Sequence, residues 1–231
     1  MNDLALLARG RVELLGVIPG SSNSALLVEV ALEERSAWAV YKPVEGERPL
    51  YDFGRGLHRR ERAAYLLSET LGWHLVPATV LREDGPFGVG SLQLFVEHDP
   101  QQHYFTLYDG APAHHDSLRR IALFDVVANN ADRKGGHVLL GSDGRVWGID
   151  HGLCFATGSR LRTVAWDFAG QPVPGDLLAD IAPLADAVPG ELAGLLEPEE
   201  ADALRMRVRR LLADPVLPVD PTGRRIPWPL L

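Results

Sequence analysis

The stretch NNADRKGGHVLLGSDGRVWGIDHGLCF, residues 129–155, constrains the fold of this chain more than any other. VLL and VWGI are short apolar runs, and SDGR between them is turn chemistry, so residues 138–149 predict a β-hairpin. Asp132 precedes the first strand and Asp150 follows the second. The hairpin therefore brings to its base two carboxylates that lie eighteen residues apart in the chain. Asn, Asp and Gly also occur at ordinary hairpin ends, so the pattern admits a purely structural reading.

Upstream, RVELLGV (11–17) and ALLVEVAL (25–32) read as strands around the turn IPGSSNS, and residues 36–41 form a third strand that delivers Lys42 before Pro43 breaks it. LHRRERAAYLLSETL (57–71) has a helical apolar repeat stopped by Gly72. Residues 76–81 and 90–96 predict two further strands around EDGPFG. Residues 1–97 thus predict an antiparallel sheet of about five strands with one helix. In residues 98–231, HDPQQHYFTLYDGAPAHHD reads as a connection. A helix is expected over 117–129, then the hairpin, then Pro-broken helical fragments of which 199–212 is the best.

The single cysteine, Cys154, excludes an intrachain disulfide and a thiolate zinc site, and suggests a reducing compartment. The first residues lack a secretion-signal core, and no run reaches the roughly 18 apolar residues of a membrane span. A cytoplasmic protein without stable membrane association is the expectation. The net charge of -8 argues against a nucleic-acid partner, which needs a basic footprint. Of 23 basic residues only Lys42 and Lys134 are lysines, which draws attention to both as compact, point-charge partners for an anion.

Nucleotide phosphates need cationic partners and a divalent ion held between carboxylates and phosphate oxygens. A lysine at a strand end, gripped by a glutamate from a packed helix, places the first charge. Glu61 is the leading candidate for that glutamate, with Glu69 competing and a solvent-facing Glu61 as the plain alternative. Asp132 and Asp150 supply the carboxylates.

In VYKPVEGE, ERAAYLLSETLG, ANNADRKGGHVLL and GIDHGLCF the chain resembles the phosphatidylinositol 3-/4-kinase-related family, particularly its short bacterial branch, which is distantly similar to HipA-like kinases. The resemblance covers residues 11 to about 170. It implies an α+β, two-lobed, atypical protein-kinase-like fold: a sheet lobe over 1–97 and a small, mainly helical lobe over 98–231. It implies that Lys42 contacts the phosphates of ATP and Glu61 orients it. Asp132 is then the catalytic aspartate, assisted by Arg133, and Asp150 holds Mg2+ or Mn2+. Gln93 to Val96 (QLFV), with Gln93, Phe95 and Val96 as wall residues, becomes the hinge against which adenine lies. The loop over 15–24 replaces a glycine-rich loop, with Ser21 and Ser22 capping phosphates although no GxGxxG is present.

The family's second metal ligand, an Asn five residues after the catalytic Asp, is His137 here, and an imidazole there would favour manganese. Around the core motif, Arg133 meets a phosphate, braces Asp132, or does neither as an exposed loop arginine, and Lys134 approaches the transferred group. Asp125 is expected to be structural and to tie the helix end to the loop, with Asn130 orienting that loop as the alternative. His151 is a supporting partner of Asp150 or a packed histidine. The leading reading is an ATP-dependent phosphotransferase with an unidentified small-molecule or protein acceptor. A nucleotide-binding pseudokinase is the alternative, favoured by the loss of the Asn, and a structural domain without nucleotide is the third class.

Overall fold

Alternate residues of β2 (Leu26–Leu32) carry the apolar side chains Leu26, Val28 and Val30, so one face of the strand is buried and the other is not. That alternation sets the register of its neighbours, β1 (Arg11–Val17) and β3 (Arg35–Pro43), both antiparallel to it. The computed structural model describes residues 2–18, 25–47, 53–110 and 112–231. Two further strands, β4 (Thr79–Gly85) and β5 (Gly88–Leu94), complete a five-stranded antiparallel sheet of order β1-β2-β3-β5-β4. The fifth strand, not the fourth, thus lies beside β3. The Tyr41 ring packs so closely over Gly90 that a Cβ there would lie 2.6 Å from it, which fixes a residue without a side chain at that crossing.

A short helix, α1 (Asp3–Arg9), covers the buried face through Leu6 and Leu7, with the Asn2 side chain capping its start. Sequence periodicity does not anticipate it. In the described residues, α2 (Leu57–Thr70) follows β3, and its apolar side belongs to the larger, C-terminal core. Ala63, Ala64 and Leu67 share that core with Leu123 and Val127 of α4 (His115–Ala128) and with Leu204 and Val208 of α7 (Pro198–Ala213). Arg60 pairs with the buried Glu200 of α7, and Trp73 donates to Asp180. These bonds anchor α2 to the helical part of the chain.

The expected connection over 98–116 contains a helix, α3 (Tyr104–Gly110), which buries Tyr104 and Leu107. Its two turns show too little of the 3.6-residue period to stand out in sequence. The predicted hairpin is present as β6 (Val138–Leu140) and β7 (Val146–Gly148), paired Val138 to Gly148. Two shorter helices complete this part of the chain: α5 (Gly175–Ile181) packs against α7, and α6 (Gly190–Ala193) against α2.

Candidate active site

Lys42 is the penultimate residue of β3, opposite Ser91 of β5, and its side chain runs into a cleft of about 370 Å³ between the sheet and the hairpin. Its ammonium donates to Glu61 Oε1 at 2.5 Å and to Asp150 Oδ1 at 2.8 Å. Three separate elements, β3, α2 and the strand end after β7, therefore meet at one cation. Burial alone would lower the Lys42 pKa, but Asp150 and Glu61 outweigh it and hold the amine protonated, above its ordinary range. Burial would likewise raise Asp150, yet Lys42 and His137 pull it well below the usual carboxylate range. Asp150 also has a left-handed backbone, φ 59°, uncommon outside glycine, while 45% of its side chain stays accessible through the cleft mouth. Glu69 instead binds the exposed His74, so the structure selects Glu61.

Asp132 lines the same cleft, on the loop after α4. Burial, with a contribution from the charge on Asp150, raises its pKa to about 6 against the pull of Lys134, whose ammonium lies 3.7 Å away. The loop is fixed from beneath. Asn130 accepts from the Asp132 N–H and donates to Asp125, and Asp125 also receives Thr163 Oγ1 and the Arg133 guanidinium. Asp125 thus ties the helix end to the loop and Asn130 orients it, so the two alternatives operate together.

The catalytic role expected for Arg133 does not match its place, and bracing the Asp132 loop is the reading that its geometry fits. Its side chain is 0% exposed, forms a buried ion pair with Asp125 at 3.0 Å, and donates to Ile149 O and to His151 Nε2. It does not line the cleft, so it positions the loop and touches no bound phosphate. His151 is buried beside it and gives its backbone N–H to Glu61 Oε2, which makes it a supporting group and not a ligand. Burial and the Arg133 charge keep its imidazole neutral, well below its ordinary pKa.

His137 also differs from expectation. Its Nδ1 accepts the Lys134 N–H at 3.3 Å, which assigns the ring proton to Nε2, and Nε2 faces Asp150 Oδ2 at 3.4 Å. In this tautomer the nitrogen nearest Asp150 carries the proton and points it at the carboxylate. Burial, with Arg133 and the two lysines, lowers its pKa to about 4, so the ring stays neutral at physiological pH.

The other end of the cleft is apolar. Ile18, Ala25, Val40, Leu139 and the run from Gln93 to Val96 form its walls. The Gln93 amide is spent on Thr79 Oγ1, so this residue contributes a wall and not a polar contact. Phe95 stands edge-on to Trp38 and its N–H binds Trp38 O, while no bond among the described residues takes the Val96 N–H. Ser21 and Ser22 lie outside the described residues. Glu47 and His58 line the cleft as well, although neither stands out in the sequence. The available signal was spacing, because His58 precedes Glu61 by three residues on one helix.

The backbone of the loop is braced from the far side. Gly135 donates to Leu230 O at 2.7 Å, and a Cβ on it would meet Phe105 at 2.8 Å and Leu231 at 2.9 Å. The Gly135 position therefore records close packing against the C-terminal segment.

Residues 57–198 match the family described as phosphatidylinositol 3- and 4-kinase. Protein Rv2133c of Mycobacterium tuberculosis is 46% identical over 99% of this chain and 95% of its own length. Phosphatidylinositol 4-kinase gamma 4 of Oryza sativa subsp. japonica is 31% identical over 55% of this chain, which spans only 28% of that relative. Among solved structures, the Golgi casein kinase with Mn/ADP bound superimposes with a TM-score of 0.55 at 12% identity, over 91% of this chain and 74% of that one. A hydra Fam20 solved with sugar gives 0.52 at 14% identity, over 91% and 86%. The fold is that of the atypical kinases.

Proposed function

The chain belongs to the phosphatidylinositol 3- and 4-kinase family, and from that premise we propose that it is an ATP-dependent phosphotransferase acting on a hydroxyl of a small molecule or protein. The observation that carries this reading is the joining of Lys42, Glu61 and Asp150 at the foot of a cleft that Asp132 also lines. Adenine lies between the apolar walls, with the Val96 N–H available to its ring edge. Lys42, kept charged by its two carboxylates, contacts the phosphates.

The donor set fits a hard divalent cation, Mg2+ or Mn2+. Asp150 is an ionised, accessible carboxylate, and such ions are commonly held by one or two carboxylates together with phosphate oxygens and water. Asp150 would hold the ion, which when bound neutralises charge on the phosphate chain. Asp132 accepts the proton of the acceptor hydroxyl as the oxygen bonds the γ-phosphorus and the bond from that phosphorus to the bridging oxygen of ADP breaks. A carboxyl at about 6 is well matched to this work near neutral pH, being ionised yet more basic than an ordinary aspartate. Lys134 lies on the acceptor side and balances the charge on the transferred group.

His137 favours one second reading, a nucleotide-binding pseudokinase, because an imidazole turned to Asp150 stands where the family carries Asn. The net charge of -8 supports a polar acceptor over an anionic membrane surface. No helix among the described residues is long and apolar enough to cross a membrane. The test is release of ADP and transfer of labelled γ-phosphate into fractionated cell extract, by wild type and Asp132→Asn. Transfer by the wild type alone supports the enzyme. ATP binding without transfer by either protein in any fraction supports the pseudokinase.

A further inference from the structure

His58 and Glu47 form a carboxylate–histidine pair on the wall of the cleft, and neither residue has a role in the account above. Glu47 Oε1 receives the His58 backbone N–H at 3.2 Å and meets its Nδ1 at 3.1 Å, while Oε2 receives the Gly56 N–H at 3.0 Å. Three contacts fix the carboxylate, and the carboxylate fixes the imidazole with its Nδ1 as the donor. Only 11% of the His58 side chain and 9% of the Glu47 side chain are exposed. Nε2 is left without a hydrogen-bond partner among the described residues, on a ring that lines the cleft.

Its position along the cleft follows from the helix. His58 and Glu61 are three residues apart on α2 and share a face, and Glu61 grips Lys42. The same first turn of α2 abuts the segment after Asp150, where a Cβ on Gly152 would lie 3.3 Å from Leu57 Cβ. His58 therefore stands at the phosphate end, away from the apolar walls. Both lysines that line the cleft are already engaged, Lys42 by two carboxylates and Lys134 toward Asp132. A polyphosphate chain needs additional donors, and because Nδ1 already donates to Glu47, His58 supplies one through Nε2 as the imidazolium, with both ring nitrogens protonated.

Building on the phosphotransferase reading, we propose that His58, oriented by Glu47, is a phosphate-binding residue that contacts the terminal phosphates of a bound nucleoside triphosphate through Nε2. Glu47 is its positioning residue. The pair takes over part of the work that a glycine-rich loop would otherwise do.

The experiment is calorimetric titration of wild type, His58→Gln and Glu47→Gln with ATP and with adenosine, both in magnesium. Melting curves confirm that each variant is folded. ATP affinity is expected to fall about tenfold or more in His58→Gln, the size of a lost hydrogen bond to a charged group. Adenosine affinity stays the same, and Glu47→Gln loses less than His58→Gln. Equal losses for ATP and adenosine, or an unchanged ATP affinity, overturn the proposal while leaving the kinase reading intact. Failure of the wild type to bind ATP overturns both. If His58→Gln does not fold, the histidine 15N spectrum of the wild type decides. A shift of the His58 Nε2 signal on adding magnesium–ATP, but not on adding adenosine, supports the contact, and no shift refutes it.

Discussion

Replacing Asp132 by Asn is expected to stabilise the protein and to abolish its turnover. The folded chain holds the Asp132 carboxyl at about 6, against an ordinary value of 3.8, chiefly because burial penalises its charge. Between those values the folded state binds a proton that the unfolded chain has released. Stability therefore falls as pH rises through 6, and the full penalty is present above it. The difference corresponds to about 3 kcal/mol at pH 8. The side chain is 29% accessible and the weak pairing with Lys134 at 3.7 Å is lost with the charge, so the net gain in Asp132→Asn reduces to about 1–2 kcal/mol. For a chain of this size that is a rise of about 2–4 °C in Tm. Near pH 4.5 only about a third of the gain remains, because the wild-type carboxyl is already protonated. Scanning calorimetry at the two pH values, without nucleotide and with a chelator, measures it. In parallel, transfer should fall by about a hundredfold or more, the size of a lost general base. A variant no more stable than wild type at pH 8, or equally stabilised at both pH values, refutes the claim that Asp132 is held at a cost to stability.

Other outcomes follow from the same geometry. Lys42→Ala should weaken magnesium–ATP binding more than Lys134→Ala in calorimetry, since Lys42 joins three elements while Lys134 rides on a loop; equal losses would contradict that assignment. Asp125→Ala strands the fully buried Arg133 charge and should cost about 3–5 kcal/mol in urea unfolding. His137→Asn places an amide oxygen where Nε2–H now stands and should raise the affinity for magnesium–ATP relative to manganese–ATP, read by titration with each metal. An unchanged ratio would mean that residue 137 does not reach the ion.

Much of this site was legible because each key residue sits within or at the end of a periodic element. Lys42 closes an alternating strand, Glu61 lies within an amphipathic helix, and Asp150 follows a hairpin that the turn SDGR announces. Strand limits were less legible where side chains compete for the backbone. Residues 76–78 read as strand, but Ser68 Oγ takes the N–H groups of Leu75 and Val76, and β4 begins only at Thr79. The full burial of Arg133 was not legible, because an arginine in a polar loop ordinarily faces water. Its burial depends on Asp125, eight residues away and buried with it, a pairing that local composition does not encode. The order that sets β5 beside β3 likewise depends on long-range pairing. His58 passed unnoticed because HRRER reads as a charged, solvated helix start, and only the fold turns that face toward the cleft.

The central claim is that Lys42 and Asp150 assemble a metal–nucleotide site, and calorimetric titration of wild type and Asp150→Asn with ATP, with and without magnesium or manganese, tests it most directly. The wild type should bind ATP at one site and far more tightly when the divalent ion is present. Asp150→Asn should lose that metal dependence, because an amide cannot replace the ionised carboxylate beside Lys42. Metal-dependent ATP binding that persists undiminished in Asp150→Asn, or a wild type that binds no nucleotide with either ion, would contradict it.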